Sequence, residues 1–108
     1  MKDGLYRVLF QTDIAAGSGV VVIDNGRIRG GDSVLFYVGS AAAVDGRIRG
    51  EIRTNRHTPD LLSVSVFGMD RVHLFIDGPD GGDEISITGQ AEEAPERTFH
   101  AVLTWLSD

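Results

Sequence analysis

Apolar residues in this chain recur at every second position, and no stretch of ten or more residues keeps a convincing period of 3.6. Side chains alternate across a strand and return to one face every 3.6 residues in a helix, so the pattern is that of strands. The alternating runs are cut by glycine, asparagine and aspartate. There are 14 glycines among 108 residues, spread along the chain, as many turns would require.

The runs can be read in order. From Leu5 to Thr12, Tyr6, Val8, Phe10 and Thr12 share a face. Gly19 to Asp24 carries Val20-Val21-Val22-Ile23 and stops at Asn25-Gly26, the strongest short hairpin signal because a type I′ turn needs positive φ at both positions. Arg27-Ile28-Arg29 returns and is broken by Gly30-Gly31-Asp32. Ser33 to Gly39 is apolar on both faces: Val34, Phe36 and Val38 on one, Leu35 and Tyr37 on the other. Ser40 to Gly46 reads as a loop ending in Asp45-Gly46, and Arg47 to Arg56 alternates again, with Ile48 and Ile52 on one face. Val72 to Asp77 turns Val72, Leu74 and Ile76 inward, Glu84 to Ala91 turns Ile85 and Ile87 inward, and Ala94-Pro95 closes a loop. The last strand, Thr98 to Leu106, places Phe99, Ala101, Leu103 and Trp105 together. Between these, His57 to Asp70 is the least regular segment. Thr58-Pro59-Asp60 can open a short helical turn near 58–66, and Ser63 to Phe67 can form a short strand.

About eight strands with short connections point to an all-β sandwich or barrel. An up-and-down antiparallel barrel is the expected form, as a single domain over residues 1–108, because successive strands read as a meander and closure removes exposed edges. Eight strands enclose an interior that side chains can fill or that can hold one small ligand.

Charge and composition exclude several functions. The net charge of −6 disfavours a general nucleic-acid binder and docking on anionic membranes. No cysteine is present, so thiol chemistry is excluded. The first residues, Met1-Lys2-Asp3-Gly4, lack the apolar stretch of a signal peptide, so a cytoplasmic protein of bacterial type is expected. His57, His73 and His100 are not spaced as metal ligands, and His73 and His100 should face outward. Asp77, Asp80, Asp83 and Glu84 lie among glycines without the order of a calcium loop. No nucleophile elbow or phosphate loop occurs. The expectation is a protein that is not an enzyme and needs no cofactor or metal.

Two candidate sites follow. Gly26-Arg27-Ile28-Arg29-Gly30 recurs twenty residues on as Gly46-Arg47-Ile48-Arg49-Gly50, best read as two strand starts after hairpin turns. If the isoleucines point inward, Arg27, Arg29, Arg47, Arg49 and Arg53 point outward. They then border the apolar positions Val34, Phe36 and Val38, and apolar residues among arginines make a partner or dimer interface. The second site is the interior, where Tyr6, Phe10, Phe99, Leu103 and Trp105 can line an apolar cavity for a small apolar ligand.

Lys2-Asp3-Gly4-Leu5-Tyr6, Asn25-Gly26, Gly30-Gly31-Asp32, Tyr37 and Gly39 occur in an order that resembles the GrlR-like family, named for a negative regulator of type III secretion. The likeness continues more loosely through Val66 to Asp70, Leu74 to Gly78 and Gly89. It implies a lipocalin-like barrel with an apolar cavity and a homodimer. It also implies a partner, a transcriptional activator that is bound and kept from acting. In the family's named member an acidic loop serves that binding. The corresponding place here is Ala42, Ala43, Val44 and Asp45, with one acid only.

Overall fold

The computed structural model describes residues 1–59 and 65–108. Eight strands run in chain order: β1 (Gly4–Thr12), β2 (Ala16–Asp24), β3 (Arg27–Gly31), β4 (Leu35–Val44), β5 (Arg47–Arg56), β6 (Val72–Pro79), β7 (Glu84–Ala91) and β8 (Ala94–Ser107). Each pairs antiparallel with the next and β8 closes on β1, giving an up-and-down barrel with no helix among the described residues.

The two-residue turns follow from their sequences. Asn25 and Gly26 have φ of 50° and 79°, and Asp45 and Gly46 have 53° and 77°. Asparagine and aspartate tolerate this left-handed region and glycine enters it freely, so the type I′ turn forms and twists the strands correctly. The repeated Gly-Arg-Ile-Arg-Gly segments are the starts of β3 and β5 after these turns. Their isoleucines, Ile28 and Ile48, are buried.

Alternation fixes inside from outside. Tyr6, Val8, Val21, Ile23, Tyr37, Ile48, Leu74, Ile76, Ile85, Ile87 and Leu103 form the continuous core. The strand at 33–39 begins at Leu35 rather than Ser33, and its inner face is Leu35, Tyr37 and Ala41. Stretches read as breaks or left between the expected runs are strand. Ala16–Ser18 extends β2, Gly30 and Gly31 continue β3 rather than break it, Ser40–Val44 extends β4, and Ala94–Arg97 extends β8. Those in β2 and β4 lack the apolar period but pair with neighbours whose registers are already set, as Ala42↔Arg49 and Phe10↔Gly17 show. The start of β8 instead pairs at Ala91↔Ala94, beyond a register irregularity.

The short helical turn near 58–66 and the strand at 63–67 fall partly on residues 60–64, outside the described residues. The described part, Ser65 to Phe67, is a turn, closed by a bond from the Gly68 N–H to the Ser65 carbonyl at 2.9 Å. Its Val66 and Phe67 are buried over one end of the barrel, where Thr12 Oγ1 donates to the Val66 carbonyl at 2.6 Å.

Candidate functional site

The barrel interior holds an apolar cavity of about 300 Å³. It lies toward the end formed by the β1–β2 and β3–β4 connections and by Ser65–Phe67. Phe10, Phe99 and Leu103 line it, as expected. Tyr6 and Trp105 do not. They belong to the opposite end, where Tyr6 donates its hydroxyl to the Lys2 carbonyl and Trp105 Nε1 donates to the Asp3 carbonyl at 3.2 Å. The segment before β1 crosses that end and claims both side chains.

Glycine makes room for the aromatic rings near the mouth. A Cβ on Gly17 would lie 2.9 Å from the Phe10 ring, and one on Gly19 would lie 3.0 Å from Tyr37 Oη. Phe10 meets Tyr37 edge-on at 6.1 Å, and Phe67 stacks on Phe99 at 5.5 Å. Tyr37 and Phe67 are wall residues that alternation did not single out. Tyr37 could not be oriented because its strand is apolar on both faces, and Phe67 lies in the irregular segment.

Among the described residues one charged group lines the cavity, Asp32. Its Oδ1 accepts the N–H groups of Val34 at 2.9 Å and Leu35 at 2.7 Å, and its Oδ2 accepts the Tyr37 hydroxyl. Burial works to raise the carboxyl's pKa. The bonds from Leu35 N–H, Tyr37 and Val34 N–H, with His57 nearby, outweigh burial and hold it below its ordinary value. Burial, followed by the bond to Asp32, drives the Tyr37 phenol well above its ordinary value, so it stays a donor. His57 braces the loop: its N–H donates to the Val34 carbonyl at 2.8 Å, and its Nε2 lies 2.9 Å from the Asp32 carbonyl oxygen.

The same Asp32 turn corrects one interface residue. Val34 does not share a face with Phe36 and Val38. It precedes β4, is buried and lines the cavity, because the turn breaks the two-residue alternation before Leu35.

On the outer wall, β2 to β4 present a stripe of exposed apolar side chains. Val20, Val22, Phe36 and Val38 are 46%, 47%, 38% and 40% exposed. The register aligns Val20, Gly31 and Phe36 in one row, and Val22, Arg29 and Val38 in the next. Bare backbone at Gly31 therefore separates Val20 from Phe36. Val20 and Val22 extend the expected patch onto β2, where the unbroken valine run concealed which residues face out.

Arg27, Arg29, Arg47, Arg49 and Arg53 are all exposed. Four of them fall into two groups, and Arg27 lies by the β2–β3 turn opposite Ser40. Arg47 and Arg49 reach Asp77 at 2.7 and 3.3 Å on the β5–β6 side. Arg29 and Arg53 flank Val38 in register, and neither is ion-paired among the described residues. Ala42, Ala43 and Val44 are strand residues, so the place of the implied regulator-binding loop is a tight turn with Asp45 at its tip. The neighbouring turn touches it, Asp80 N–H donating to the Gly46 carbonyl at 2.9 Å.

His73 is less open than expected. Its side chain is 13% exposed, lies 3.2 and 3.3 Å from Glu92 and Glu51 oxygens, and packs on Phe75 at 4.5 Å. Its Nε2 has an ion-pair distance to Glu51 but no hydrogen bond. No group of three metal-ligating side chains forms among the described residues. Comparison with protein-family models and with curated proteins finds no match.

Proposed function

We propose that the protein is a non-enzymatic regulator that works by binding other proteins, a homodimer that sequesters a transcriptional activator, as its resemblance to the GrlR-like family implies. The observation that carries this reading is the outer stripe of Val20, Val22, Phe36 and Val38 beside Arg29 and Arg53. Four partly exposed apolar side chains in adjacent rows favour burial against another surface, and arginine is enriched in such interfaces. The occupant assigned to the stripe is a second copy of the chain. Its rim carries both signs, Asp24 opposite Arg27 and Glu51 near Arg53, so the patch can complement itself across a two-fold axis.

The activator calls for a different surface. An acidic protein of net charge −6 attracts the basic face with which an activator reads DNA. Asp45 lies where the family resemblance locates activator binding. Asp80 on the neighbouring turn touches that turn through its N–H, while its carboxylate pairs with the N-terminal amine.

Light scattering at tens of micromolar tests the dimer. The expected mass is twice 11.6 kDa, falling to the single-chain value in Phe36→Asp with an unchanged far-ultraviolet spectrum. A wild-type monomer removes the dimer. For the regulator, the purified protein should release a co-purifying DNA-binding activator from its promoter DNA. Direct binding of this protein to that DNA would count against the reading.

A second reading is favoured by the cavity. The interior would then carry a small apolar ligand, since about 300 Å³ falls within the size range of ligand sites.

A further inference from the structure

The inference rests on that second reading. From the cavity walls we infer that the barrel selects its ligand by head group, taking an apolar chain or ring that ends in a hydroxyl or amine and refusing one that ends in a carboxylate.

Size sets the body of the ligand. A dry apolar cavity of about 150 Å³ accommodates benzene, so one of about 300 Å³ holds roughly a dozen non-hydrogen atoms. The wall is apolar on every strand that faces it, with Val8, Ile28, Leu74, Ile87 and Phe99 as examples.

The polar groups set the head. Thr54 spends its hydroxyl proton on the Asp70 carbonyl at 2.7 Å. Ser65 donates to the Met69 carbonyl and accepts the N–H groups of Phe67 and Met69. Ser18 and Ser33 lie on the exposed rim, where a hydroxyl serves equally as donor or acceptor.

What remains is the Asp32–Tyr37 pair. A carboxylate offers about four lone-pair positions, and Val34, Leu35 and Tyr37 fill three. The fourth, on Oδ2, has no protein donor among the described residues, and Asp32 lines the cavity. The Tyr37 hydroxyl proton is committed to Asp32, leaving that oxygen as an acceptor. No lysine or arginine lines the cavity among the described residues. An incoming hydroxyl or ammonium finds acceptors and a negative charge. An incoming carboxylate finds a second carboxylate and no lysine or arginine. His57 is near Asp32 but does not line the cavity, its ring nitrogens lying against the Thr58 hydroxyl and the Asp32 carbonyl. Like charges at short range in a partly buried site repel.

The test is displacement of 1-naphthylamine, a neutral probe of about eleven non-hydrogen atoms whose fluorescence changes in apolar surroundings, by 1-decanol, decylamine and decanoate at pH 7.5. Decanol and decylamine should displace it, with decanoate at least tenfold weaker. Asp32→Asn turns the facing group into an amide, and should narrow the decanol-to-decanoate ratio several-fold. Tyr37→Phe exposes the second carboxylate oxygen and should tighten decylamine several-fold, which gives an independent readout if Asp32→Asn does not fold. Equal displacement by decanoate, or a folded variant with unchanged selectivity, overturns the head-group assignment. Failure of the probe to bind overturns the ligand reading itself.

Discussion

The two ends of the barrel solve the same closure problem in opposite ways. At one end Tyr6, Ile23, Ile48 and Ile85 are each 2% exposed or less and belong to one buried cluster. The segment before β1 lies over them, with Tyr6 and Trp105 bonded to its carbonyls. Burial, reinforced by Asp80, Asp83 and Asp3, raises the Tyr6 phenol's pKa and keeps it a donor there. At the other end Phe10 and Phe99 stand around the wall as partly buried rings, Val66 and Phe67 cover it, and the Asp32–Tyr37 pair lies in the lining. The first end is packed as a core. The second leaves a cavity beside the Asp32 turn, so tight packing and empty space are separated along one axis.

The sharpest way to break this comparison is to make the same deletion at both ends. Ile85→Ala at the packed end should cost about 3–4 kcal/mol, within the range for deleting a fully buried isoleucine. Ile52→Ala lines the cavity and is only partly buried, so it should cost about 1–2 kcal/mol, since its lost contacts border space already empty. Urea denaturation of both variants decides it. Equal costs would mean that the cavity end is packed as tightly as the plug.

Next in size is the polar pair. Asp32→Ala leaves the N–H groups of Val34 and Leu35 and the Tyr37 hydroxyl without their acceptor, and should cost about 2–3 kcal/mol. The contribution also depends on pH. The folded carboxyl sits below its ordinary value of 3.8, so its stabilisation is complete above the unfolded pKa and is lost as pH falls through the folded one. The gap in melting temperature between wild type and Asp32→Ala should therefore be full at pH 6 and narrow below about pH 4. A gap that persists at pH 2.5 would mean that the turn is held by something other than the charged carboxylate.

The two ends also differ in how much their sequences disclosed. Tyr6, Ile48 and Ile85 sit in clean alternation, so their inward placement could be read from period two alone. The Asn25-Gly26 and Asp45-Gly46 turns were equally legible, because few residues accept positive φ. The cavity end was not. Asp32 was readable as a turn residue, but bonding two successive N–H groups shifts the chain's phase at Val34, and no apolar count detects that shift. Trp105 was placed in the cavity because it shares a face with Leu103. The periodicity gives the face and not the height along the axis, and the crossing segment that takes the indole N–H is distant in sequence. On the outer wall, Val20-Val21-Val22-Ile23 offered no polar residue to mark the exposed side.

The smallest expected effect separates the plug from the charges that decorate it. The Lys2 ammonium lies 3.6 Å above the Trp105 ring and 2.9 Å from Asp83, yet the two partners' side chains are 45% and 74% exposed. Solvent screens such a pair, and exposed ion pairs and cation–π contacts each contribute about 0–1 kcal/mol. Lys2→Ala should therefore cost less than about 1 kcal/mol in low salt and still less at 0.5 M salt, where the Debye length is only a few ångströms. The Asp32→Ala cost, set by unpaired donors rather than by long-range charge, should barely respond to salt. If Lys2→Ala proves as costly as Asp32→Ala, the packed end is fastened by its rim rather than by Tyr6 and the isoleucines beneath it, and the contrast between the two ends fails at its stronger side.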